Sequence, residues 1–380
     1  MNKVILISYY FPPFMGVGGM RSEGFYKYLP EFGWEPYIVT AFQNKETNEQ
    51  YKNIYRFYDV NKEDGLCFRR DSGIDWLKML KRRLPLILKK QRFDAVYISG
   101  GPFLHFSIGS WVKKKYKLPV VLDFRDPFAN NPNFPKRKIR DFVARKLEKS
   151  WTSNSDAVIV VNKYNVDMIE RDSNTPVFVI ENGFNDDVIA KVKQRQSVGA
   201  PKKFYTIVYA GKFMSARNPL SFIQAISILI RENIGLRFVH IGPQYEPLEQ
   251  YVKQHDLEGY VDILGTKSYE DTLKLICDSD CGLLISNQHP FESTTKIYDY
   301  IGCHKPIFAI GIAEQGGIAD VLKRYGPYLT AENTVDDIVE KLRYLVEKSF
   351  TIKKPPNVNQ FGRRESARSL AQVLNAIKEN

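Results

Sequence analysis

The chain has 380 residues, 43% of them apolar and 26% charged, which is long for a single core and excludes a disordered or fibrous protein. No run approaches the roughly eighteen apolar residues of a membrane span, and the first apolar stretch leads into Pro12 and Pro13 rather than a small-residue cleavage site. The net charge of +12 asks for an anionic partner, whether nucleic acid, an acidic membrane or a phosphorylated small molecule.

In chain order, short β-rich runs at Val4–Ser8 and Pro36–Thr40 bracket a helical stretch that begins near Gly19 and ends at Phe32, where Gly33 stops it. Residues 76–90 then mix large apolar and basic side chains, with Lys81, Arg82 and Arg83 in one cluster and Lys89 and Lys90 in another. Such a mixture suits a membrane-surface helix interrupted by Pro85, and it equally suits a packed helix with one solvated face. Further strands are predicted at Ala95–Ser99, Val120–Asp123, Ala157–Val161 and Val177–Ile180, separated by helices such as Leu104–Lys117, Ile139–Ser150 and Asn165–Arg171. Residues 1–190 hold 30 Lys and Arg against 22 Asp and Glu, so most of the surplus charge lies in this half. No zinc-finger spacing and no aromatic-basic ribonucleoprotein motif accompanies it, which argues against nucleic acid.

From Lys191 to Lys203 the chain is polar and broken by Gly199 and Pro201, as a linker is. A second series follows, with strands at Tyr205–Ala210, Leu236–Ile241, Tyr260–Ile263, Cys281–Ile285 and Pro306–Ile310. Its helices are predicted at Pro219–Glu232, Glu246–His255, Tyr269–Asp278, Thr294–Cys303 and Val335–Lys348, and a last helix at Arg364–Lys378. Alternating strands and helices predict an α/β protein of two facing Rossmann-like doubly wound domains, with ligands at the carboxyl ends of the strands and a cleft between the domains. The first would span residues 1–190, joined by the closing helix 362–380, and the second residues 200–358. The four cysteines lack C-x-x-C spacing, which fits a reducing cytoplasm.

Several loops at strand ends are suited to a ligand. Gly16, Gly18 and Gly19 allow close backbone approach, with Arg21 available for an anion; a dinucleotide fingerprint would need glycine in place of Arg21 and an acid near Thr40, so NAD is disfavoured. Lys212 and Arg217, five apart in the loop after a buried strand, suit the two phosphates of a diphosphate, one as a point charge and one as a fork. The backbone N–H groups of Thr294, Thr295 and Lys296 open a helix and suit a phosphate, while Asp299, one turn further in, can take two sugar hydroxyls. His105 and Asp126, candidates for catalysis, and Arg125, a candidate for the acceptor side, sit at the ends of first-domain strands, where the other wall of a cleft would be; Asn182, also for the acceptor side, belongs to an Asn-Gly turn there. Asp278 and Asp280 read as turn formers rather than metal ligands, and the five histidines have no zinc spacing, so no metal site is expected.

With Gly16–Gly19, Arg125 and Asp126, Asn182 and Gly183, Lys212 with Arg217, Gly242, Gly265, and Thr295–Tyr300 followed by Lys305 and Pro306, the chain resembles a family 4 glycosyltransferase of GT-B architecture over nearly its whole length. The resemblance implies transfer of a sugar from a nucleotide-diphosphate sugar with retention, without a metal or other cofactor. Lys212 and Arg217 would hold the donor diphosphate, Gly242, Pro243, Leu264 and Gly265 would flank the base, Asp299 the ribose, and the N–H groups of Thr294–Lys296 the phosphate. The family usually has Glu where Asp299 stands, and often a further Glu eight residues earlier; that place is Phe291, with Glu292 one position off. The expected protein is a cytoplasmic enzyme at the inner face of an anionic membrane, building a surface polysaccharide on a saccharide or lipid-linked acceptor. A sugar-nucleotide epimerase of the same fold and a non-catalytic nucleotide-sugar binding protein are the alternatives.

Overall fold

The computed structural model describes residues 1–13, 17–42, 51–58, 73–132, 134, 136–195, 203–215, 217–348 and 357–379. They form two units, one of Met1–Asn182 with Arg363–Asn380 and one of Gly183–Gly362. The first runs β1 (Asn2–Ser8), α1 (Val17–Tyr28), β2 (Trp34–Phe42), β3 (Ile54–Tyr58), α2 (Ile74–Lys90), β4 (Ala95–Ser99), α3 (Ser107–Tyr116), β5 (Val120–Phe124), α4 (Lys138–Ser153), β6 (Ala157–Val160) and β7 (Val177–Val179). All seven strands are parallel, in the order β3-β2-β1-β4-β5-β6-β7.

The second unit runs α5 (Asp186–Gln194), β8 (Tyr205–Ala210), α6 (Leu220–Arg231), β9 (Leu236–Ile241), α7 (Glu246–Gln254), β10 (Val261–Ile263), α8 (Tyr269–Asp278), β11 (Cys281–Ile285), α9 (Lys296–Gly302), β12 (Ile307–Ile310), α10 (Gly317–Tyr325), β13 (Tyr328–Ala331) and α11 (Val335–Glu347). Its six strands are again parallel, ordered β10-β9-β8-β11-β12-β13. The last helix, α12 (Arg363–Glu379), returns to the first unit, where Leu370 and Leu374 join Phe25, Tyr28 and Trp34 in the core and Trp34 Nε1 donates to Asn375 at 2.9 Å.

Strand alternation explains why these runs are apolar throughout. In the first unit Ile5, Ile7, Val96 and Ile98 face a layer made by α2, α3 and α4, through Trp76, Leu84, Val112 and Trp151, whereas Val4, Leu6, Ala95 and Tyr97 face α1 and α12. A parallel strand covered on both sides has no solvent face to make polar.

Five local expectations are corrected. Helix α2 continues through Pro85 and turns Trp76, Leu80, Leu84 and Ile87 into the core, so its apolar side chains are packed against the sheet while Lys81, Arg82 and Arg83 are exposed. Edge strands β3 and β13 and helix α10 were absent from the predicted elements. Residues 163–168 form a 3-10 segment rather than an α-helix. Helix α9 begins at Lys296, two residues after Thr294, and no side chain caps it. Finally, the first unit ends at Asn182, ahead of the loosening near residue 190, because α5 packs Ile189 and Val192 into the second unit's core.

Candidate functional site

In the second unit the loops leaving β8, β9 and β10 are tied backbone to backbone. Gly211, with φ at 137°, donates its N–H to the Ile241 carbonyl at 2.8 Å, and its own carbonyl accepts from His240 Nε2 at 3.0 Å. A Cβ at Gly242 would lie 2.2 Å from the Gly211 carbonyl oxygen, so this approach requires glycine. The Gly242 N–H donates in turn to Gly265 at 3.1 Å, where φ is 70°. Pro243 is exposed and Leu264 half-buried beside these contacts, so three strand ends offer bare backbone to a ligand.

The basic turn and the start of α9 meet at the same place. Lys296 is buried, with Nζ 3.6 Å from the centre of the Tyr209 ring, and a Cβ on Gly211 would come within 3.1 Å of that nitrogen. Tyr209 stacks on Phe213 at 4.1 Å, and Phe213 packs on His240 at 4.6 Å. Burial holds the Lys296 amine well below the usual lysine range; Arg217 pushes the same way and Glu292 opposes it. Arg217 itself is paired with Glu292 at 2.5 Å, and Glu292, 6% exposed, also accepts from the Ser286 hydroxyl at 2.5 Å and the Asn287 N–H at 3.1 Å. One carboxylate held from three directions therefore fixes the guanidinium. Arg217 Nε is buried with no hydrogen-bond partner among the described residues, and Lys212 is exposed.

Helix α9 is fastened beneath. The Tyr300 hydroxyl donates to Leu283 O at 3.0 Å and accepts from Ala210 N–H at 3.1 Å, and its ring fills the space a Cβ at Gly282 would need. Thr294, Thr295 and Asp299 are half-buried, and an Asp299 oxygen accepts from the Tyr269 hydroxyl at 2.6 Å. A clamped guanidinium and a buried amine beside bare backbone can bind a diphosphate and stabilise charge that grows on it.

The first unit treats its charged candidates differently. Gly18 and Gly19 lie in the first turn of α1, and the Arg125 guanidinium rests so closely on Gly18 that a Cβ there would come within 2.3 Å of it; Arg125 Nε donates to Gly100 O at 3.1 Å. Gly16 lies outside the described residues. Asp126 is exposed at the end of β5. Arg21, expected to face an anion, is instead buried: it pairs with Asp123 at 2.7 Å and donates to Ile180 O, Glu181 O and Asn182 Oδ1 at 2.9, 3.0 and 3.3 Å. Its donors are taken up by protein acceptors. His105, expected in catalysis, is also wholly buried, with Nε2 2.9 Å from Ser99 O; burial drives its pKa down to about 3, so the ring stays neutral.

Residues 23–188 match the family model Glycosyltransferase Family 4, and residues 190–365 match Glycosyl transferases group 1. The chain is a GT-B glycosyltransferase of the family 4 type. This glycosyltransferase is 23% identical over 344 residues to an uncharacterised glycosyltransferase of Methanocaldococcus jannaschii, covering 90% of this chain and 88% of that protein. Its fold is that of sucrose-phosphate synthase from Thermosynechococcus elongatus, at a TM-score of 0.69 and 12% identity over 100% of this chain and 97% of that one. Anabaena HepE, solved with UDP and glucose, shares it at a TM-score of 0.64 and 14% identity over 100% and 98%.

The roles of three side chains in the glycosyltransferase's second unit, Glu292, His240 and Tyr209, escape a sequence reading. Glu292 stands one place off the family position but reaches Arg217 across 75 residues. His240 and Tyr209 are ordinary strand residues until their rings are seen under the Gly211 turn. Asp280 accepts from Thr206 N–H at 2.8 Å at the amino end of the sheet, opposite the loops above, in keeping with a turn. Among the described residues no three His, Cys, Asp or Glu side chains gather as a metal would need, and no helix is long and apolar enough to cross a membrane.

Proposed function

We propose that the enzyme transfers a sugar from a nucleotide-diphosphate sugar to a saccharide or lipid-linked acceptor in surface-polysaccharide synthesis, with retention at the anomeric carbon and without a metal or other cofactor. The observation that carries this reading is the meeting of Arg217, clamped by Glu292, with Lys296 beside the bare backbone of Gly211. Breaking the bond from the anomeric carbon to the diphosphate leaves negative charge on the phosphate oxygen, and Lys212, Arg217 and Lys296 supply the countercharge that a metal would otherwise give. Gly242, Pro243, Leu264 and Gly265 would flank the base, Asp299 the ribose hydroxyls, and the N–H groups around Thr294–Lys296 the phosphate. The presence of UDP and glucose in the Anabaena relative supports a donor of this chemical class. Arg125 and Asn182 would serve the acceptor side, Gly18 and Gly19 the donor and Asp126 the transfer itself, and the cationic first unit fits work at the inner face of an anionic membrane.

The test is a thermal-shift screen of nucleotide sugars, followed by turnover of the best one. Lys212→Ala and Arg217→Ala should each weaken donor binding by more than the ~0.2–1 kcal/mol of a surface ion pair. Isomerisation of the donor without an acceptor would favour an epimerase, and binding without any turnover a non-catalytic protein.

A further inference from the structure

The outer face of α4 carries two large apolar side chains close together. Its inner face is used in packing: Ala144, Glu148, Trp151 and Thr152 are buried. Ile139 and Phe142, at i and i+3 on the opposite side, are 82% and 62% exposed, more than any other large apolar side chain among the described residues apart from Met1. They do not belong to the core.

The surroundings are cationic. Lys146, one turn beyond Phe142, has its Nζ 5.6 Å from that ring. Helices α2, α3 and α4 pack on the same side of the sheet, so their outward faces make one surface. They carry six, three and five Lys and Arg against one, none and two acids, and one of the two acids in α4, Glu148, is buried. Leu86, 52% exposed on α2, adds a third apolar tip to it.

From this juxtaposition we infer that the α4 face, with Ile139 and Phe142 as the inserting side chains, docks the enzyme on an anionic lipid bilayer. A protein groove would cover an apolar pair as readily, but apolar tips within a broad field of like charge match a surface that is anionic throughout and apolar just below its headgroups. The inference deepens the membrane part of the proposed function and moves it from the cluster at Lys81–Arg83, whose helix has its own apolar face in the core, to α4. It does not depend on the donor site.

The test is co-sedimentation of the full chain with vesicles of phosphatidylcholine alone or mixed with phosphatidylglycerol. The enzyme should bind the mixed vesicles and not the neutral ones, and the binding should weaken with added salt. Ile139→Ser with Phe142→Ser should reduce it about ten-fold or more, because the apolar contribution is lost while every cation remains. Lys138→Glu with Lys146→Glu, which keeps the apolar pair, should reduce it as well. These positions are exposed, so thermal stability and nucleotide-sugar binding should stay as in the unaltered enzyme, which separates a failure of docking from a failure of the donor reading. Absence of binding to anionic vesicles, or full binding by the Ile139/Phe142 variant, would overturn the inference.

Discussion

Arg21 and Arg217 look alike in the chain, each following a buried strand and a glycine, yet the two units use them in opposite ways. In the first unit Asp123, Tyr97 and three acceptors from residues 180–182 surround Arg21. In the second, Glu292 takes one edge of Arg217 and leaves its side chain 23% exposed beside Lys296. The same chemical group is a strut in one place and, in the proposed function, a tool in the other. What separates them is the number of protein acceptors within reach, since a guanidinium with all its donors taken has none left for a phosphate.

The largest effect should come from breaking the strut. Arg21→Ala would leave the buried Asp123 carboxylate without its countercharge, and removing one partner of a buried pair costs about 3–5 kcal/mol. Urea denaturation should show that loss, while nucleotide-sugar binding, measured under conditions where the variant remains folded, should be unchanged. A variant as stable as the parent but unable to bind donor would reverse the comparison and return Arg21 to the site.

An intermediate effect is expected from Glu292→Gln. Charge counting alone says the site becomes more positive and should grip a diphosphate better. Positioning says the opposite: without its charged partner the Arg217 fork gains rotamer freedom, and an amide cannot accept from Arg217, Ser286 and Asn287 as the carboxylate does. We expect positioning to win, with kcat/KM falling about ten-fold, ~1.4 kcal/mol, and with a loss of stability smaller than that of Arg21→Ala because Arg217 keeps some contact with water. Glu292→Asp should recover part of it. A rise in donor affinity in the Gln variant would show that Glu292 only tempers the charge.

How far these two arginines could be told apart in advance shows what the chain alone discloses. Strands Ala95–Ser99, Tyr205–Ala210, Leu236–Ile241 and Cys281–Ile285 were legible to the residue because sheets covered on both sides leave uninterrupted apolar runs. Strands β3 and β13 were not: both lie at sheet edges, and Arg56 and Thr330 interrupt their apolar runs. Gly242 and Gly265 stand out in the chain and take part in close backbone contacts, which are a local demand, whereas Gly211 is absent from the predicted site residues. The fate of an arginine is not local: the acceptor for Arg21 comes from 102 residues away and that for Arg217 from 75. In α2, likewise, the basic residues concealed that Trp76, Leu80, Leu84 and Ile87 share one helical face.

The smallest effect concerns protons, and it tests whether the second unit's cations are poised for a ligand. In the folded enzyme burial lowers the Lys296 pKa, so between that value and the unfolded value of 10.5 the unfolded chain holds the extra proton. Stability therefore rises with pH through that window and falls as pH drops toward the folded pKa. A diphosphate beside Nζ acts in the other direction, favouring the ammonium and raising its pKa in the complex. Donor binding should then take up at most one proton and tighten as pH falls, by less than about ten-fold per pH unit. Calorimetry in buffers of different ionisation enthalpy measures this directly, with a nucleotide sugar as ligand because its diphosphate, esterified at both ends, has no second ionisation near neutrality. Lys296→Met should abolish the uptake. In the first unit the buried His105, neutral above about pH 3 and away from solvent, should contribute no such proton. Donor binding that releases no proton, takes up none and is flat with pH would mean that Lys296 is already charged at rest, a second strut rather than a responsive part of the site.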